Sequence, residues 1–516
     1  MSAIRQVVSG SAEIEGIGSL DVESIDIRYA PNEIPQGSVG LALGERAGGS
    51  RGSPAITALR SELGVRRRIT IKLGVGGHED VVFEGYTAGV MPQRSGDAAA
   101  LTISVMHWLV DLETFSAFSA ALTPAALSAL DIPARCGVRG GGGVGVGSTI
   151  EGIRQAVAHH LAASGDLGAA IIDVLNMFTA PHMATKMPIS NAVAQQAIAR
   201  LTADLKFRFI DSSNIACGIS ETIGSIMTST YSGNTLWQCL LALSQQFNFV
   251  VIPGVSSAAI VPYIPGLSAA ATSAHHITAD KLALARSGVA VRPALRGVRL
   301  YMTLFSLTNN GLRGAAPEPV AIYVDSGTPD GMIDSAAAPA WLQTRAANDN
   351  IAVTYENGVS GRTTISRARA IESELIADID PTELKIVGTE VAKAVMYERI
   401  FEGGSGSLDG SYDPVSPGTL VLVEVPESRG AAGADVAAYI SATRFVVHAA
   451  QSLLQYSIEL SHLRDVETDA KAPAEHPLYA GAAAAVAAAT GAAAGNSLIE
   501  IRQRPPGLID LRERPQ

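Results

Sequence analysis

Alternation of apolar and polar residues in the first hundred positions constrains this chain more than any other feature. Over residues 19–29, Leu20 and Val22 alternate with acidic residues, and a similar alternation returns over residues 68–73 and 101–109. Successive side chains of a strand point to opposite faces, so this pattern predicts strands with one buried and one solvent-facing side. Several such strands joined by short loops predict a small antiparallel barrel or sandwich.

A second block of similar character begins at Ile277 and ends near Arg464. A Gly/Ser/Asp/Pro-rich stretch at 403–417 predicts a loop inside this block. The clearest predicted strands of the block are residues 297–304, 319–324, 419–425, 443–450 and 455–464.

Helical spacing of apolar residues separates the two blocks. It predicts helices over residues 151–163, 168–178 and 191–205, the last with Ser190 as its N-cap. Residues 234–247 have the pattern of an amphipathic helix, with two short strands after it at 249–254 and 259–263.

The predicted fold class is therefore mainly β with α insertions (α+β), in which two antiparallel, tube-like β-barrel domains accompany a helical insertion and a small helix–hairpin module. The predicted bounds are 1–114 for the first barrel, 115–233 for the helical insertion, 234–276 for the module, 277–465 for the second barrel and 466–516 for an Ala-rich C-terminal tail.

The composition indicates a protein that is covered by neighbours in an assembly. Charged residues are only 17% of the 516 residues, against a usual value of about 25%. A surface with so few charges either aggregates or is buried against other subunits. The net charge of -11 argues against a protein that binds nucleic acid tightly, because such binding requires clustered cations. The Ala-rich stretch at 480–494 is too short and too weakly apolar to span a membrane.

Sequence motifs for nucleotide binding or nucleophilic catalysis occur only in the wrong context. The run 140–145 matches the dinucleotide pattern, but helix-like residues rather than a strand precede it. The match Gly-x-Ser-x-Gly at 48–52 lies among loop-forming residues, whereas a nucleophile elbow needs a strand before the serine and a helix after it. Both are predicted to be loops.

The remaining candidate groups also favour structural roles, so no catalytic, cofactor-binding or metal-ligating residue is predicted. Adjacent histidines point to different sides of an element and rarely bind one ion. The acids of residues 372–380 lack the aromatic neighbours of a sugar cleft. The run 66–68 of three arginines is interpreted as a charged flank that guards the edge of the next strand. Structural roles are likewise predicted for the histidine pairs His159 and His160 and His275 and His276, and for the cysteines Cys136, Cys217 and Cys239.

Three local patterns resemble one known family. Residues 235–249 look like a helix that precedes a hairpin, residues 416–421 like a Pro-Gly turn that opens a strand pair, and residues 443–448 with 456–460 like the closing strands of a barrel. In this order they resemble the central hub proteins of phage tail baseplates, a family that includes late-control protein D and the N-terminal part of the type VI secretion spike.

The resemblance implies a structural protein without enzymatic activity. It implies a homotrimer whose pseudo-six-fold ring joins a hexameric tail tube to a trimeric spike or tail-tip protein. Baseplate wedge proteins are further expected partners, and the tape measure protein is a candidate. DNA would pass through the lumen without specific binding, and no membrane partner is expected. The expected location is the virion tail baseplate, assembled in the host bacterial cytoplasm. Two alternatives stay open: another tail-tip or tube-proximal adaptor, and a cell-wall hydrolase.

Overall fold

The structure of the chain is a computed structural model. The structure describes residues 8–42, 61–63, 66–75, 78–95, 98–115, 160, 165–179, 188–206, 223, 235–247, 249–262, 275–277, 282–286, 295–304, 318–325, 328–334, 351–357, 361–365, 402–409, 417–418, 420–424, 435–448 and 453–465.

Six antiparallel strands of the N-terminal block close into a barrel. The strands are β1 (Val8–Ile14), β2 (Gly18–Tyr29), β3 (Gln36–Ala42), β4 (Arg68–Val75), β5 (His78–Ser95) and β6 (Ala98–His107). Their order around the barrel is β1-β4-β5-β6-β3-β2, and pairing of β1 with β2 completes the circle.

The alternation in the sequence places one face of each strand inside this barrel. Leu101, Ile103 and Val105 of β6 are fully buried, while the intervening Thr102 and Ser104 are only half-buried. Each buried aliphatic or aromatic side chain contributes roughly 1.5–3 kcal/mol by leaving water. The predicted strands of this block, with their inward and outward faces, are confirmed.

The C-terminal block contributes a second set of six strands. They are β10 (His275–Ile277), β11 (Leu282–Arg286), β17 (Glu402–Asp409), β18 (Leu420–Glu424), β19 (Asp435–His448) and β20 (Leu453–Asp465). Their order in the sheet is β10-β18-β19-β20-β17-β11, which in chain order is the same sequence of neighbours as in the first block.

The two blocks are repeats of one topology. In chain order, β10, β11, β17, β18, β19 and β20 match β1 to β6, and five of the six pairings in the first block recur between matching strands in the second. One recurring pair differs in direction, since β1 and β4 are antiparallel whereas β10 and β18 are parallel.

Strands β2 and β19 join the blocks edge to edge. Residues 24–29 of β2 pair antiparallel with residues 443–448 of β19. The result is a continuous eight-stranded antiparallel sheet, β5-β6-β3-β2-β19-β20-β17-β11. Ile440, Phe445 and Ile458 of the second block belong to the same hydrophobic cluster as the barrel interior.

A separate five-stranded antiparallel sheet is inserted between β11 and β17. Its strands are β12 (Leu295–Leu304), β13 (Glu318–Asp325), β14 (Thr328–Asp334), β15 (Ile351–Asn357) and β16 (Gly361–Ile365), in the order β14-β13-β12-β15-β16. The predicted strands at 297–304 and 319–324 lie in this sheet.

Within the described residues, four helices with defined bounds and a small sheet lie between the blocks in sequence. The helices are α1 (Val110–Thr114), α2 (Leu167–Thr179), α3 (Pro188–Ile198) and α4 (Leu236–Phe247), and the sheet consists of β7 (Leu201–Ala203), β8 (Phe249–Pro253) and β9 (Ala258–Pro262) in the order β7-β9-β8. The predicted helix–hairpin over residues 234–263 is therefore present as α4, β8 and β9.

Two local predictions are wrong. The helix predicted over residues 191–205 begins at Pro188 and ends at Ile198, because Leu201–Ala203 pairs in parallel with β9. Ser190 therefore lies inside α3 and is not its N-cap. The loop predicted over residues 403–417 contains β17, because pairing with β20 on one side and β11 on the other holds this Gly/Ser-rich segment extended.

The predicted class, mainly β with α insertions, is confirmed by these elements. The predicted helix over 151–163 lies outside the described residues except for His160. The division into five segments, including the tail from residue 466, stays a prediction.

Candidate assembly surface

The outward side of the eight-stranded sheet is the most distinctive surface of the described chain. Across β2, β3, β6 and β5, three cross-strand rows are Ser24–Gly40–Thr102–Met91, Asp26–Ser38–Ser104–Gly89 and Arg28–Gln36–Met106–Tyr86. We call these twelve residues the row face. On β3, β6 and β5 every position of the row face is uncharged, and most side chains there are small.

One edge of the row face ends at Met91. Its side chain is 62% exposed. Among the residues that the structure describes, it is the only large apolar side chain that is exposed. β5 extends past β4, since the last β4 pairing joins Arg68 to Tyr86, and one more backbone hydrogen bond joins Thr87 to Arg67. Residues 88–95 therefore pair with β6 on one side and, within the described chain, with no strand on the other.

The opposite edge of the row face carries ion pairs across the joint between the blocks. Arg444 of β19 donates from Nε to Oδ1 of Asp26 at 2.7 Å and from Nη2 to Oδ2 at 2.6 Å. This bond and the charge of Asp26 raise the pKa of Arg444. Arg28 of β2 donates from Nη2 to Oε2 of Glu459 at 3.2 Å and from Nη1 to Glu33.

The pKa of Arg28 reflects two opposing influences. Partial burial lowers it, but the hydrogen bonds and charges of Glu459 and Glu33 outweigh burial and raise the pKa above its ordinary value. Both guanidinium groups are therefore charged near pH 7, and each is paired with carboxylates.

A buried histidine joins the barrel to the hairpin of β8 and β9. Nε2 of His107 donates to the carbonyl oxygen of Gly254 at 2.9 Å, and Nδ1 accepts a longer bond of 3.4 Å from the backbone N–H of Leu109. Nε1 of Trp108 donates to the carbonyl oxygen of Val255 at 2.9 Å. Burial lowers the pKa of His107 to about 3, so the ring is neutral near pH 7.

A second polar cluster fastens α1 to the barrel wall. The hydroxyl of Tyr86 donates to Oδ2 of Asp111 at 2.6 Å, Arg66 contacts Oδ1 of the same carboxylate, and the Arg66 guanidinium lies 4.0 Å from the centre of the Tyr86 ring. Burial raises the pKa of Asp111, although its bonds to Tyr86 and Arg66 oppose this. All three groups are engaged with one another, which indicates a structural role.

The arginine run at 66–68 is used within the fold. Arg67 donates to the backbone carbonyls of Glu62 and Glu15, and Arg68 donates to the side chain of Gln196. The run therefore lies at the start of β4 and links it to α1 and α3, but it guards no strand edge, because β4 is paired with β1 on one side and with β5 on the other.

The histidine and cysteine candidates are dispersed. His275 and His276 lie in β10, His160 contacts Asp173, and Cys239 is buried in α4, where burial raises the pKa of its thiol to about 11. Within the described ranges, no group of three or more His, Cys, Asp or Glu side chains could hold a metal ion. The other candidates, His159, Cys136, Cys217 and residues 48–52, 140–145 and 372–380, lie outside the described residues.

None of the helices in the described chain is long and apolar enough to cross a membrane.

No protein-family model matches the sequence, and no curated protein sequence matches it significantly. The chain is similar to several solved structures of tail proteins. A tail protein from Neisseria meningitidis MC58 is 11% identical, with a TM-score of 0.37 over 88% of this chain and 96% of that one. The 43 kDa tail protein of prophage MuSo2 from Shewanella oneidensis is 12% identical, with a TM-score of 0.41 over 88% and 98%.

A component of the Escherichia coli type VI secretion system is also similar, at 8% identity and a TM-score of 0.30 over 87% of this chain and 76% of that one. These structural neighbours are phage tail and type VI secretion proteins. With TM-scores below 0.5, the similarities assign no role to any residue of this chain.

Proposed function

We propose that this chain is a structural hub of a phage tail baseplate. It forms a homotrimeric ring with pseudo-six-fold symmetry, which joins the hexameric tail tube to the trimeric spike and lets DNA pass. Baseplate wedge proteins and the tape measure protein are its further proposed neighbours. In this role the chain is not an enzyme, it is located in the virion tail, and it assembles in the cytoplasm of the bacterial host.

The observation that carries this proposal is the internal repeat joined edge to edge. Each chain presents two four-stranded units side by side, β5-β6-β3-β2 and β19-β20-β17-β11. Three chains would therefore present six units of one topology, which is what an adaptor between six-fold and three-fold partners requires.

The joint inside the chain also predicts the joint between chains. By the repeat, the second half of β5 corresponds to residues 443–448 of β19, and β2 corresponds to β11. Residues 443–448 pair with β2 within the chain. Residues 88–95 of β5 would accordingly pair with β11 of the neighbouring copy. Since β5 and β11 are the first and last strands of an eight-stranded antiparallel sheet, they run in opposite directions. Their pairing would therefore be antiparallel, and the ring would close as a continuous antiparallel sheet.

The surface chemistry fits this closure. An unpaired strand edge is a template for another strand, and proteins usually protect such an edge with charge or proline. Here Pro92 and Arg94 give the edge only part of this protection, because Met91 beside Pro92 is an exposed apolar side chain. Pairing with a neighbour would cover Met91.

The test is the native mass of the purified protein, alone and mixed with candidate tube and spike proteins. Three copies of the 53.4 kDa chain, either alone or within a complex whose remaining mass is that of the added partners, support the hub. A hexameric mass, or a monomer in both samples, would overturn it and favour a tube-proximal adaptor. Met91→Asp should abolish the trimer by placing a charge beside the pairing edge, whereas Ala199→Asp, at an exposed position after α3, should leave it intact.

A further inference from the structure

Two arginines stand directly opposite each other where the two blocks meet. Arg28 of β2 and Arg444 of β19 are register partners in the antiparallel pair, although they are far apart in sequence. Their side chains are 39% and 54% exposed, on the outward side of the sheet. Like charges directly opposite each other in a sheet are destabilising unless other groups neutralise them.

Three carboxylates surround this pair. Asp26 binds Arg444 with two hydrogen bonds, and Glu33 and Glu459 bind Nη1 and Nη2 of Arg28 respectively. These acids come from β2, from the turn after β2 and from β20, so the cluster forms only once the two blocks have joined. The five groups together carry one net negative charge.

Without the acids, the same place would be a binding site for phosphate. Two adjacent guanidinium groups offer planar, paired N–H donors that match phosphate oxygens well. The neighbouring positions on the row face, Gln36, Ser38 and Gly40, are uncharged, so nothing in them would repel a polyanion.

We propose that Asp26, Glu33 and Glu459 mask the Arg28–Arg444 pair, so that this face does not retain the phosphate backbone of nucleic acid. The masking would be useful on a surface along which DNA has to slide, and in that respect it rests on the proposed function. The masking itself is a property of a single chain and is independent of ring formation.

The experiment measures binding of a short fluorescein-labelled DNA duplex to the full-length protein by fluorescence anisotropy. The wild type should not bind. The triple variant Asp26→Asn, Glu33→Gln, Glu459→Gln should bind the duplex. Its affinity should fall about tenfold when the salt concentration is raised from about 50 to about 200 mM. This follows because each of the two phosphate contacts contributes a slope of about -0.9 to the plot of log K against log salt concentration.

Two controls separate masking from a general change of charge. The triple variant Asp21→Asn, Glu62→Gln, Glu113→Gln removes the same number of exposed carboxylates from other positions and should not bind. Adding Arg28→Gln and Arg444→Gln to the masking variant should abolish its binding. Exposed ion pairs contribute little to the free energy of unfolding, so the variants should fold. Asp26→Asn alone, which frees only Arg444, should bind more weakly than the triple variant.

DNA binding by the wild type, equal binding by the control triple variant, or no binding by the masking variant would overturn the proposal. These outcomes are distinguishable from failure of the hub, which is decided by the native mass. A protein that never trimerises could still show masking, and a trimer could lack it.

Discussion

The imidazole of His107 donates a hydrogen bond to the backbone carbonyl of Gly254 at 2.9 Å, and this contact joins the last residue of β6 to the turn between β8 and β9. The ring is completely buried and lies at a steep angle to Tyr29 and Phe83, with ring centres 6.0 and 5.8 Å away. A neutral histidine thus connects the barrel interior to the small sheet, and its protonation would place a charge inside the core.

This placement predicts a loss of stability in acid. Burial lowers the pKa of His107 from 6.5 to about 3, so between these pH values the unfolded chain binds a proton that the folded chain does not. The free energy of unfolding should therefore fall as the pH falls below about 6.5, by at most about 1.4 kcal/mol per pH unit from this residue. Urea unfolding of the wild type and of His107→Gln over this pH range measures the effect.

The comparison of the two proteins isolates His107. Acidic groups such as Asp111 titrate in both proteins and cancel in the difference. His107→Gln should be less stable than the wild type near pH 7 and should show the shallower decline on acidification. If the free energy of unfolding falls equally steeply with pH in the wild type and in His107→Gln, His107 is not a neutral buried histidine.

Asn32 supplies a second link between the barrel and the small sheet. It has a φ of 59°, its backbone N–H donates to the carbonyl oxygen of Val251 at 2.8 Å, and its side-chain Oδ1 accepts from the Val251 N–H at 2.8 Å. Asn32→Ala should destabilise the protein by about 1–3 kcal/mol, because it leaves the N–H of Val251 unpaired and places a Cβ in the left-handed region without a compensating bond.

Asn32→Gly separates these two causes. Glycine tolerates the positive φ but also lacks the side-chain acceptor, so its cost in denaturant unfolding should be smaller than that of alanine. A larger cost for glycine than for alanine would show that the backbone at this turn is not strained.

The sequence predicts most of the barrel because the alternation of apolar and polar residues in β2 and β6 indicates which face of each strand is buried. It does not predict β17, since residues 402–409 contain three glycines and two serines without an apolar period. Their strand conformation comes from partners on both sides, and such tertiary context overrides local preference.

The surface chemistry is less predictable than the barrel. The pairing of Arg444 with Asp26 joins residues 418 positions apart, and no local pattern contains the register that brings them together. The turn at Asn32 can be expected from its composition, but its partner Val251 cannot. The repeat was visible in the sequence only as two blocks of similar character, because the inserted strands β12–β16 interrupt the second one.

Cys239 is predicted to be inert in the folded protein. The residue is fully buried, and burial raises the pKa of the thiol to about 11, so at pH 8 almost no reactive thiolate is present. In a Cys136→Ser, Cys217→Ser variant, a thiol reagent such as DTNB should react with Cys239 only at the rate at which the protein unfolds. Immediate reaction under native conditions would contradict the packing of α4, and reaction in denaturant provides the control for reagent and thiol.

Two glycines of β5 provide the sharpest test of the sheet register. A Cβ on Gly85 would lie 2.1 Å from the carbonyl oxygen of Met106 and 2.9 Å from the Cα of His107, both backbone atoms that cannot move aside. A Cβ on Gly89 would have Ser104 as its nearest neighbour, at 4.0 Å. Neither glycine has a positive φ, so space alone distinguishes the two positions.

Gly85→Ala should therefore destabilise the protein by about 1–3 kcal/mol through overpacking. Gly89→Ala should be neutral or should stabilise by up to about 1 kcal/mol, since alanine loses less backbone entropy on folding. Urea unfolding of both variants measures the contrast. Because the two residues lie four apart on one strand, a slipped register between β5 and β6 would change both environments together. Similar costs at the two positions would therefore contradict the cross-strand rows, and with them the placement of Gly89 on the open face beside Met91.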